Sequence, residues 1–358
     1  MDVELVIPWE EPGWDEYVSS HPGATMYHTA VWSRVVTESA GYRSAAFVAR
    51  RDARICGILP AAEVRSRLTG MRLVSLPFSD ECYALADDAT SARALTESAF
   101  AYRASRRLAR YEIRGPAFLR DGTRIAPEAS AGVSFAVDSH FSNFVIPLVD
   151  DPDAVRATFA RKAVRQTINK ALRLGVRVWE SDDSRDTGVF YRLYALNRKR
   201  HGIPPQPRSF FARIRAELTD TPRARLYVAD VASHPVAALI TIEYRGVTCA
   251  KYEGVDTSMR KVLPIYPLMW QAIESACLAG HTRYDFGRTA HDNEGLCEFK
   301  SRWGTERIAM PYYRFPPSEG ISTVRANSVK YRVFTGLFRR MPLGLFCAAG
   351  SRLFRHFG

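Results

Sequence analysis

The predicted order of helices and strands occurs twice along the 358-residue chain, and this repetition constrains the fold more than any other feature. In the first half, hydrophobic periodicity predicts a helix over 29–39, strands at 45–49 and 55–62, a helix over 91–110 and a strand at 111–114. A chain of this length suits two domains of ordinary size. The repetition therefore predicts two units of similar architecture.

The second half shows the same order of elements. Two helices precede a meander of three strands, and a helix and a last strand complete the unit; the predicted ranges are 183–201, 209–218, 225–230, 236–244, 247–253, 262–278 and the strand at Arg283. Between the halves, a strand at 141–147 precedes the helix start at 150–153. We therefore place the domain boundary near residue 150.

The run 284–315 places a lysine among apolar residues on one face of a short helix. Asn293 is suited to cap this helix, and Gly304 to end it. An ammonium group on a core-facing stripe either extends to water while its stem packs on Trp303, or it serves a site. The residues at i, i+3, i+4 and i+7 spacing are Leu296, Phe299, Lys300 and Trp303.

A polar loop comes directly before this helix. The strand 282–286 stops at Gly287, and the loop that follows contains Arg288, Thr289, His291, Asp292 and Asn293. A strand, a polar loop and a helix in this order commonly build a functional site.

The whole pattern resembles the C-terminal signature of the FemABX-like branch of the GNAT superfamily, which contains non-ribosomal peptidyltransferases and related acyltransferases. Stretches such as HTAVWSRVVTESAGY and RKAVRQTINKALRLGVRV agree with the same branch, so the resemblance covers most of the chain. The signature residues present here are Asp285, Phe286, Gly287, Arg288, Asn293, Gly295, Leu296, Phe299, Lys300, Trp303 and Gly304.

The resemblance implies an α+β fold of two tandem GNAT-like domains, with mixed central sheets flanked by helices and a cleft between the domains. Residues 1–150 are then the first domain, on the acceptor side. Residues 151–317 are the second domain, which carries the signature, and residues 318–358 are a basic amphipathic tail.

The activity implied by the resemblance is attack of an acceptor amine on an activated acyl carbonyl, with formation of an amide or peptide bond. Such a reaction needs stabilisation of the oxyanion and a group that takes the amine proton. The resemblance assigns the first task to Lys300. Asp285 is the candidate to orient Lys300 or to take the proton, and its alternative role is to cap the following turn. His291 is either a base or a solvated loop residue.

The acyl donor is aminoacyl-tRNA or acyl-CoA. Acetyl-CoA-dependent GNAT proteins usually bind pyrophosphate on a glycine-rich loop, but this chain has no glycine from Val255 through Ala279 and carries Pro264 and Pro267 there. This favours aminoacyl-tRNA. The candidate donor-binding residues are Arg288, Asn293, Phe299, Trp303, Tyr252, Arg260 and Lys261.

The acceptor is expected to be an amine-bearing small molecule or a lipid-linked amine. Asp80 and Glu81 can receive an amine, arginines suit phosphate or carboxylate, and Trp32 has a core role as its alternative. The candidate acceptor-binding residues are His28, Trp32, Ser79, Asp80, Glu81, Arg198, Arg200 and His201.

Two other functions stay open. An acyl-CoA-dependent N- or O-acyltransferase could modify a polysaccharide or a lipid-linked sugar, and a non-catalytic protein on this scaffold could bind RNA or membranes. The formal net charge of +12 indicates an anionic partner in each case. One concentration of charge lies between residues 156 and 199, where five basic residues share a predicted helix with an apolar face, and its alternative is a solvated surface. They are Arg161, Lys162, Arg165, Lys170 and Arg173.

The tail after Gly320 interleaves aromatic and aliphatic residues with arginines and contains no acidic residue. This composition suits an interfacial helix on anionic lipid, which Pro342 breaks into two pieces. The alternative is a helix docked on the protein itself. The tail residues in question are Phe334, Leu337, Phe338, Leu343, Phe346, Leu353, Phe357, Arg325, Lys330, Arg332, Arg339, Arg340, Arg352 and Arg355.

The remaining composition excludes several classes of protein. The six cysteines form no CxxC pair and no zinc-type cluster, which indicates reduced thiols. We expect neither a metal nor an organic cofactor. The acidic, proline-interrupted N-terminus does not resemble a signal peptide, and no run of about twenty apolar residues occurs. We expect a cytoplasmic protein, attached peripherally to the inner face of the plasma membrane if the tail binds lipid.

Overall fold

A computed structural model describes residues 1–127, 133–317 and 329–356, with the backbone alone for 329–333. The described residues form two compact units. Unit 1 contains residues 1–127, 133–140, 310–317 and 353–356; unit 2 contains 141–309 and 329–352. The division falls inside two strands, at 140/141 and 309/310, and inside the last α-helix, at 352/353. The boundary predicted near residue 150 falls at the polar break that follows the first of these strands.

The strands, in chain order, are β1 (Asp2–Val6), β2 (Arg43–Ser44), β3 (Ala46–Arg51), β4 (Arg54–Leu59), β5 (Ala62–Ser66), β6 (Gly70–Val74), β7 (Leu85–Ala86), β8 (Arg110–Arg114), β9 (Ala117–Leu119), β10 (Arg124–Ile125), β11 (Ala136–Pro147), β12 (Val176–Glu180), β13 (Arg223–Val231), β14 (His234–Tyr244), β15 (Val247–Val255), β16 (Arg283–Asp285), β17 (Thr289–Ala290) and β18 (Glu306–Phe315).

The α-helices are α1 (Trp14–Ser20), α2 (Ala30–Ala40), α3 (Ala89–Ser105), α4 (Pro152–Ala157), α5 (Gln166–Arg173), α6 (Asp186–His201), α7 (Arg208–Glu217), α8 (Ile265–Leu278), α9 (Glu294–Ser301), α10 (Val329–Arg340) and α11 (Leu343–Leu353). Short 3₁₀ helices occur at Met26–His28, Thr257–Val262 and Phe354–His356, and a π-helical turn at Arg161–Arg165.

Unit 1 has two groups of strands. One follows the order β1-β3-β4-β7-β9-β10, antiparallel except for the parallel pair β7/β9. The other follows the order β18-β8-β6-β5-β2, in which β6/β8 is parallel. An apolar core that includes Phe47, Leu95 and Tyr111 fills this unit. Mixed pairing with helices fits the predicted α+β class.

Unit 2 is built on one sheet of order β12-β13-β14-β15-β16-β11. The first four strands form an antiparallel meander, and β16 then pairs parallel to β15. Helix α8 packs on β12, β13 and β14, while α6 packs on β14 and β15. The core around α8 includes Tyr227, Leu239, Ile273 and Trp303.

Two features of β15 shape the site described below. Its parallel pairing with β16 ends at Cys249 and Asp285, although β15 continues to Val255. At Gly254, an added Cβ would lie 2.3 Å from the backbone nitrogen of Tyr194, so only glycine allows α6 to approach the strand this closely. β15 therefore continues beneath α6 past the carboxyl end of its parallel partner β16, and the carboxyl ends of parallel strands are a common place for ligand sites.

The basic segment 152–173 differs from the single helix that the sequence predicts. It consists of α4, the π-helical turn and α5, so its basic residues do not share one helical face. The sequence predicts Val155, Phe159, Ile168 and Leu172 on the apolar face of that helix. The first three are buried, whereas Leu172 is exposed, because the interruption at Ala160 changes the phase of the helical repeat.

The tail forms two helices separated at Pro342, as predicted. The rings of Phe338 and Phe346 are buried with centroids 6.0 Å apart, and Gly350 abuts the carbonyl of Pro205 within unit 2. Much of the apolar face is thus docked, while Leu337 and Leu345 remain 61% and 62% exposed. The predicted residues Arg325 and Phe357 lie outside the described residues, as do the side chains of Lys330 and Arg332.

Among the described helices, none combines the length and apolar character needed to span a bilayer. All six cysteines have free thiols.

Candidate active site

Lys300 is buried at the end of α9, and its ammonium group is held by backbone carbonyls. Asn293 caps the helix as predicted, since its side chain accepts a hydrogen bond from Leu296 N at 3.4 Å. Lys300 is only 5% exposed, and its Nζ donates to the carbonyl oxygens of Phe286 at 2.6 Å and Gly287 at 2.7 Å. The alternative in which the ammonium extends to water is therefore wrong. The helix ends at Ser301, three residues before the predicted Gly304.

Asp285 fixes the turn that supplies these carbonyls. Its Oδ1 accepts a hydrogen bond from Gly287 N at 2.6 Å, and its Oδ2 accepts one from Asn143 Nδ2 at 2.6 Å. The predicted turn-capping role is thus present. By holding the turn, Asp285 also orients the groups that bind Lys300, so it acts as a positioning residue.

The polar loop after this turn is held against β11, which pairs with β17. The guanidinium of Arg288 lies 4.4 Å from the ring centroid of Phe141, and His291 Nε2 lies 2.8 Å from Ser142 Oγ. Ser142 also accepts a hydrogen bond from Arg307 Nε at 3.0 Å. His291 therefore belongs to an anchored polar network.

Glu253 is the site residue that the sequence analysis missed. This half-buried residue lies on β15 beyond the end of its pairing with β16. Burial raises the pKa of its carboxyl group, and the positive charges of Lys300 and Arg200 oppose that rise. A raised pKa makes a carboxylate a better proton acceptor. The sequence did contain a signal for this residue: it is an acid in a predicted strand with apolar neighbours, and charged residues are rare in such positions.

Four arginines surround His201 at the end of α6. Burial lowers the pKa of His201, and the charges of Arg200, Arg198, Arg339 and Arg260 lower it further. The imidazole is therefore neutral at pH 7. We call these five residues the His201 cluster. The cluster contains three predicted acceptor residues, Arg198, Arg200 and His201, together with the predicted donor residue Arg260. The charge of Arg200 also acts on Glu253.

The other predicted donor residues divide into exposed and buried groups. Lys261 is exposed next to Arg260, and the half-buried Phe299 packs on Tyr266 with ring centroids 5.6 Å apart. Trp303 is fully buried in the core of unit 2, and Tyr252 packs against Phe211 at 5.1 Å. Trp303 and Tyr252 therefore present almost no surface to a donor.

The predicted acceptor residues of unit 1 are mostly structural. His28 and Trp32 are completely buried: Thr25 N donates to His28 Nδ1 at 3.1 Å, and Trp32 Nε1 donates to Ser79 Oγ at 2.9 Å. Burial lowers the pKa of His28 to about 3, so this ring stays neutral. The side chains of His28, Trp32 and Ser79 are therefore not accessible to an acceptor.

Asp80 and Glu81 are partly exposed. Asp80 Oδ2 accepts a hydrogen bond from Tyr27 OH at 2.9 Å, and its backbone carbonyl accepts one from Tyr312 OH. Of the predicted acceptor residues in unit 1, only these two acids keep accessible side chains.

Comparisons with known proteins place this site in a family. Residues 158–301 match the family model described as an acetyltransferase (GNAT) domain, a range that includes Glu253, Asp285 and Lys300. The chain is 25% identical over 166 residues to the UDP-N-acetylmuramoylpentapeptide-lysine N(6)-alanyltransferase of Weissella viridescens, a match that covers 46% of this chain and 48% of that protein. Residues 158–301 therefore form a GNAT acyltransferase domain, and the chain is similar to FemABX-like proteins.

Solved structures show the same fold. The crystal structure of FemX matches with a TM-score of 0.65 at 16% identity, over 88% of this chain and 97% of that one. A tandem GNAT protein from the clavulanic acid biosynthesis pathway matches with a TM-score of 0.53 at 13% identity, over 87% and 97% of the two chains. The predicted FemABX-like tandem GNAT fold is confirmed. The curated match spans about half the length of the alanyltransferase.

Replacing Glu253 with glutamine should stabilise this FemABX-like protein at alkaline pH. Because the folded state raises the pKa of Glu253 above its ordinary 4.5, folded protein holds this proton more tightly than unfolded protein. Stability therefore falls as pH rises from 4.5 through the raised pKa. Urea unfolding of Glu253→Gln should show a gain at pH 8 that disappears near pH 4.

The exposed Glu306, replaced in the same way, serves as the control and should show no such gain. A Glu253→Gln protein that is equally destabilised at both pH values would contradict the assignment.

Proposed function

We propose that the chain transfers an aminoacyl group from aminoacyl-tRNA to an amine acceptor and forms an amide bond. The observation that carries this proposal is the electrostatic influence of the buried Lys300 ammonium on Glu253, which lies on β15 beyond the end of its pairing with β16. An ammonium and a carboxylate of raised pKa can serve the two charges that develop during aminolysis of an ester.

In the proposed reaction, the acceptor amine attacks the ester carbonyl of the donor and a C–N bond forms. The positive charge of Lys300 stabilises the developing oxyanion. Glu253 takes the proton that the amine loses. The C–O bond of the ester then breaks, and the ribose oxygen of the tRNA leaves with a proton returned from Glu253. Asp285 keeps the turn in place and takes no proton.

Three observations support tRNA as the donor. The alanyltransferase relative has a name that describes aminoacyl transfer to a lysine side chain. The His201 cluster supplies four positive charges, of which that of Arg200 also acts on Glu253, and this concentration of charge suits a polyanion. At the start of α8, Pro264 and Pro267 remove backbone N–H groups that could otherwise bind pyrophosphate.

Lys300→Met should reduce turnover by about 100-fold or more, because removal of one oxyanion-stabilising group commonly has this effect. The assay measures transfer of a labelled amino acid from charged tRNA to a panel of amines, with unfolding curves to confirm the fold. Arg283→Met removes an exposed cation of the same unit outside the candidate sites and should retain full turnover.

Glu253→Gln should also reduce turnover and should remove the acidic limb of the pH–rate profile. Normal turnover of folded Lys300→Met would refute the proposed mechanism.

The donor can be identified by binding measurements at several salt concentrations. Saturable binding of one aminoacyl-tRNA is expected, with an affinity that falls steeply as salt rises. The double variant Arg200→Gln/Arg260→Gln should flatten the slope by about 1.4, since each contact to single-stranded nucleic acid contributes about 0.7.

The pair Arg223→Gln/Arg283→Gln makes the same change of charge on exposed residues of unit 2 outside the candidate sites and should leave the slope unchanged. Binding of a CoA thioester in place of tRNA would instead support the acyl-CoA-dependent acyltransferase. Polyanion binding without turnover under any condition would favour a non-catalytic protein.

We further propose that the tail contacts an anionic membrane surface. Leu337 and Leu345 expose apolar side chains on helices that also carry the exposed Arg339, Arg340 and Arg352. Apolar side chains and neighbouring cations together suit the lipid headgroup region.

The double variant Leu337→Ser/Leu345→Ser should weaken binding to phosphatidylglycerol vesicles by about tenfold or more, as expected from the burial energy of leucine. Sedimentation with the vesicles measures the bound fraction. The control, Leu172→Ser/Leu278→Ser, changes two exposed leucines of the same unit outside the tail. An equal loss in both double variants would refute the proposal.

A further inference from the structure

Unit 1 contains an open pocket of about 880 Å³ that plays no part in the proposed reaction. Its walls come from the end of α2, from β2 and β5 with the loop after β5, from the end of α3 and from the turn at Phe354–His356. The charged side chains that line it are Arg43, Glu63, Arg65, Arg67, Arg106 and Arg355. A cavity of this volume is large enough for a small molecule.

Glu63 organises the floor of this pocket. It is 1% exposed and accepts hydrogen bonds from Tyr102 OH at 2.6 Å, Arg106 Nε at 2.8 Å and Arg65 Nε at 2.8 Å. Burial alone would raise the pKa of Glu63, but these three bonds outweigh burial and lower the pKa to about 2. Glu63 is therefore a permanent anion. Because both arginines bind it through Nε, their terminal N–H groups are not used in these bonds.

The pocket is strongly cationic even with Glu63 included. Five arginines and one glutamate leave four positive charges, with histidine counted as neutral. In the part of the chain that the structure describes, the side chains of Arg43, Arg67 and Arg355 form no hydrogen bond or ion pair. Like charges concentrated in a concave site repel one another, and a bound anion relieves that repulsion.

The wall formed by residues 354–356 is fixed in place. The Phe354 ring stacks on Phe78 with centroids 4.6 Å apart, and the backbone carbonyl of His356 accepts a hydrogen bond from Thr69 Oγ1 at 2.9 Å. His356 Nδ1 also lies 2.9 Å from Ser66 Oγ. These contacts place Arg355 at the pocket as part of an ordered wall.

We propose that this pocket binds a phosphorylated small molecule with at least two phosphate groups, such as a nucleoside diphosphate. Arginine guanidinium groups match the geometry of phosphate oxygens and bind them in pairs. Four uncompensated charges exceed what a single phosphate neutralises, and the volume accommodates more than one phosphate. The ligand is recognised by its charge, so inorganic pyrophosphate competes with it.

Isothermal titration of the full chain with inorganic phosphate, pyrophosphate and ADP tests this site. Saturable binding of pyrophosphate and ADP, with mutual competition, is expected, and single phosphate should bind more weakly. The double variant Arg43→Gln/Arg67→Gln should weaken both by about tenfold or more, because each lost charged hydrogen bond has an effect of that size. Its thermal unfolding temperature should not fall, since neither side chain forms a hydrogen bond or ion pair among the described residues and the loss of two like charges reduces repulsion in the pocket.

The matched control is Arg54→Gln/Arg93→Gln, which removes two exposed charges from the same unit. Equal weakening in both double variants would mean a general charge effect and would overturn the site. Absence of saturable binding would also overturn it. Binding of only an RNA oligonucleotide or anionic vesicles through Arg43 and Arg67 would replace the small-molecule site with a macromolecular surface. None of these outcomes depends on Lys300, so failure of the pocket proposal can be distinguished from failure of the proposed transferase activity.

Discussion

The site depends on the hydrogen bonds between the Lys300 ammonium and the carbonyls of Phe286 and Gly287. A buried ammonium without such partners would be too costly in free energy to remain charged. The two carbonyls are available because Asp285 bonds to Gly287 N and holds the backbone in a turn. A cation on an otherwise apolar helix face is thus stabilised by the end of the neighbouring strand, and this joins α9 to β16.

Electrostatics then link this lysine to the rest of unit 2. Lys300 and Arg200 both oppose the rise in the pKa of Glu253, and Arg200 also belongs to the group of arginines around His201. Two cations therefore act on this carboxylate, and its burial is still sufficient to increase its proton affinity. A site of this kind combines an anion-attracting surface with a local base.

Unit 1 uses its polar residues differently. Inside its core, Trp32 donates a hydrogen bond to Ser79, and His28 accepts one from the backbone of Thr25. These bonds avoid the cost of buried unsatisfied polar groups. Glu63 shows how such a buried acid can act outward, since it orients two arginines toward a pocket. The tail contributes a fully buried ring, Phe346, to unit 2, and it contributes Arg355 and His356 to the wall of this pocket.

The sequence by itself determined the order of the elements, the Asn293 cap, the break at Pro342 and the place of Lys300 on a buried stripe. Each of these depends on local periodicity, on a cap or on a proline, all of which act within a few residues. Only the tertiary structure decided that Glu253 lies beside Lys300 and that Arg260 lies beside His201. It also decided that Trp303 and Tyr252 are core residues. Those outcomes depend on strand register and on helices packing across the sheet, which bring together residues separated by dozens of positions.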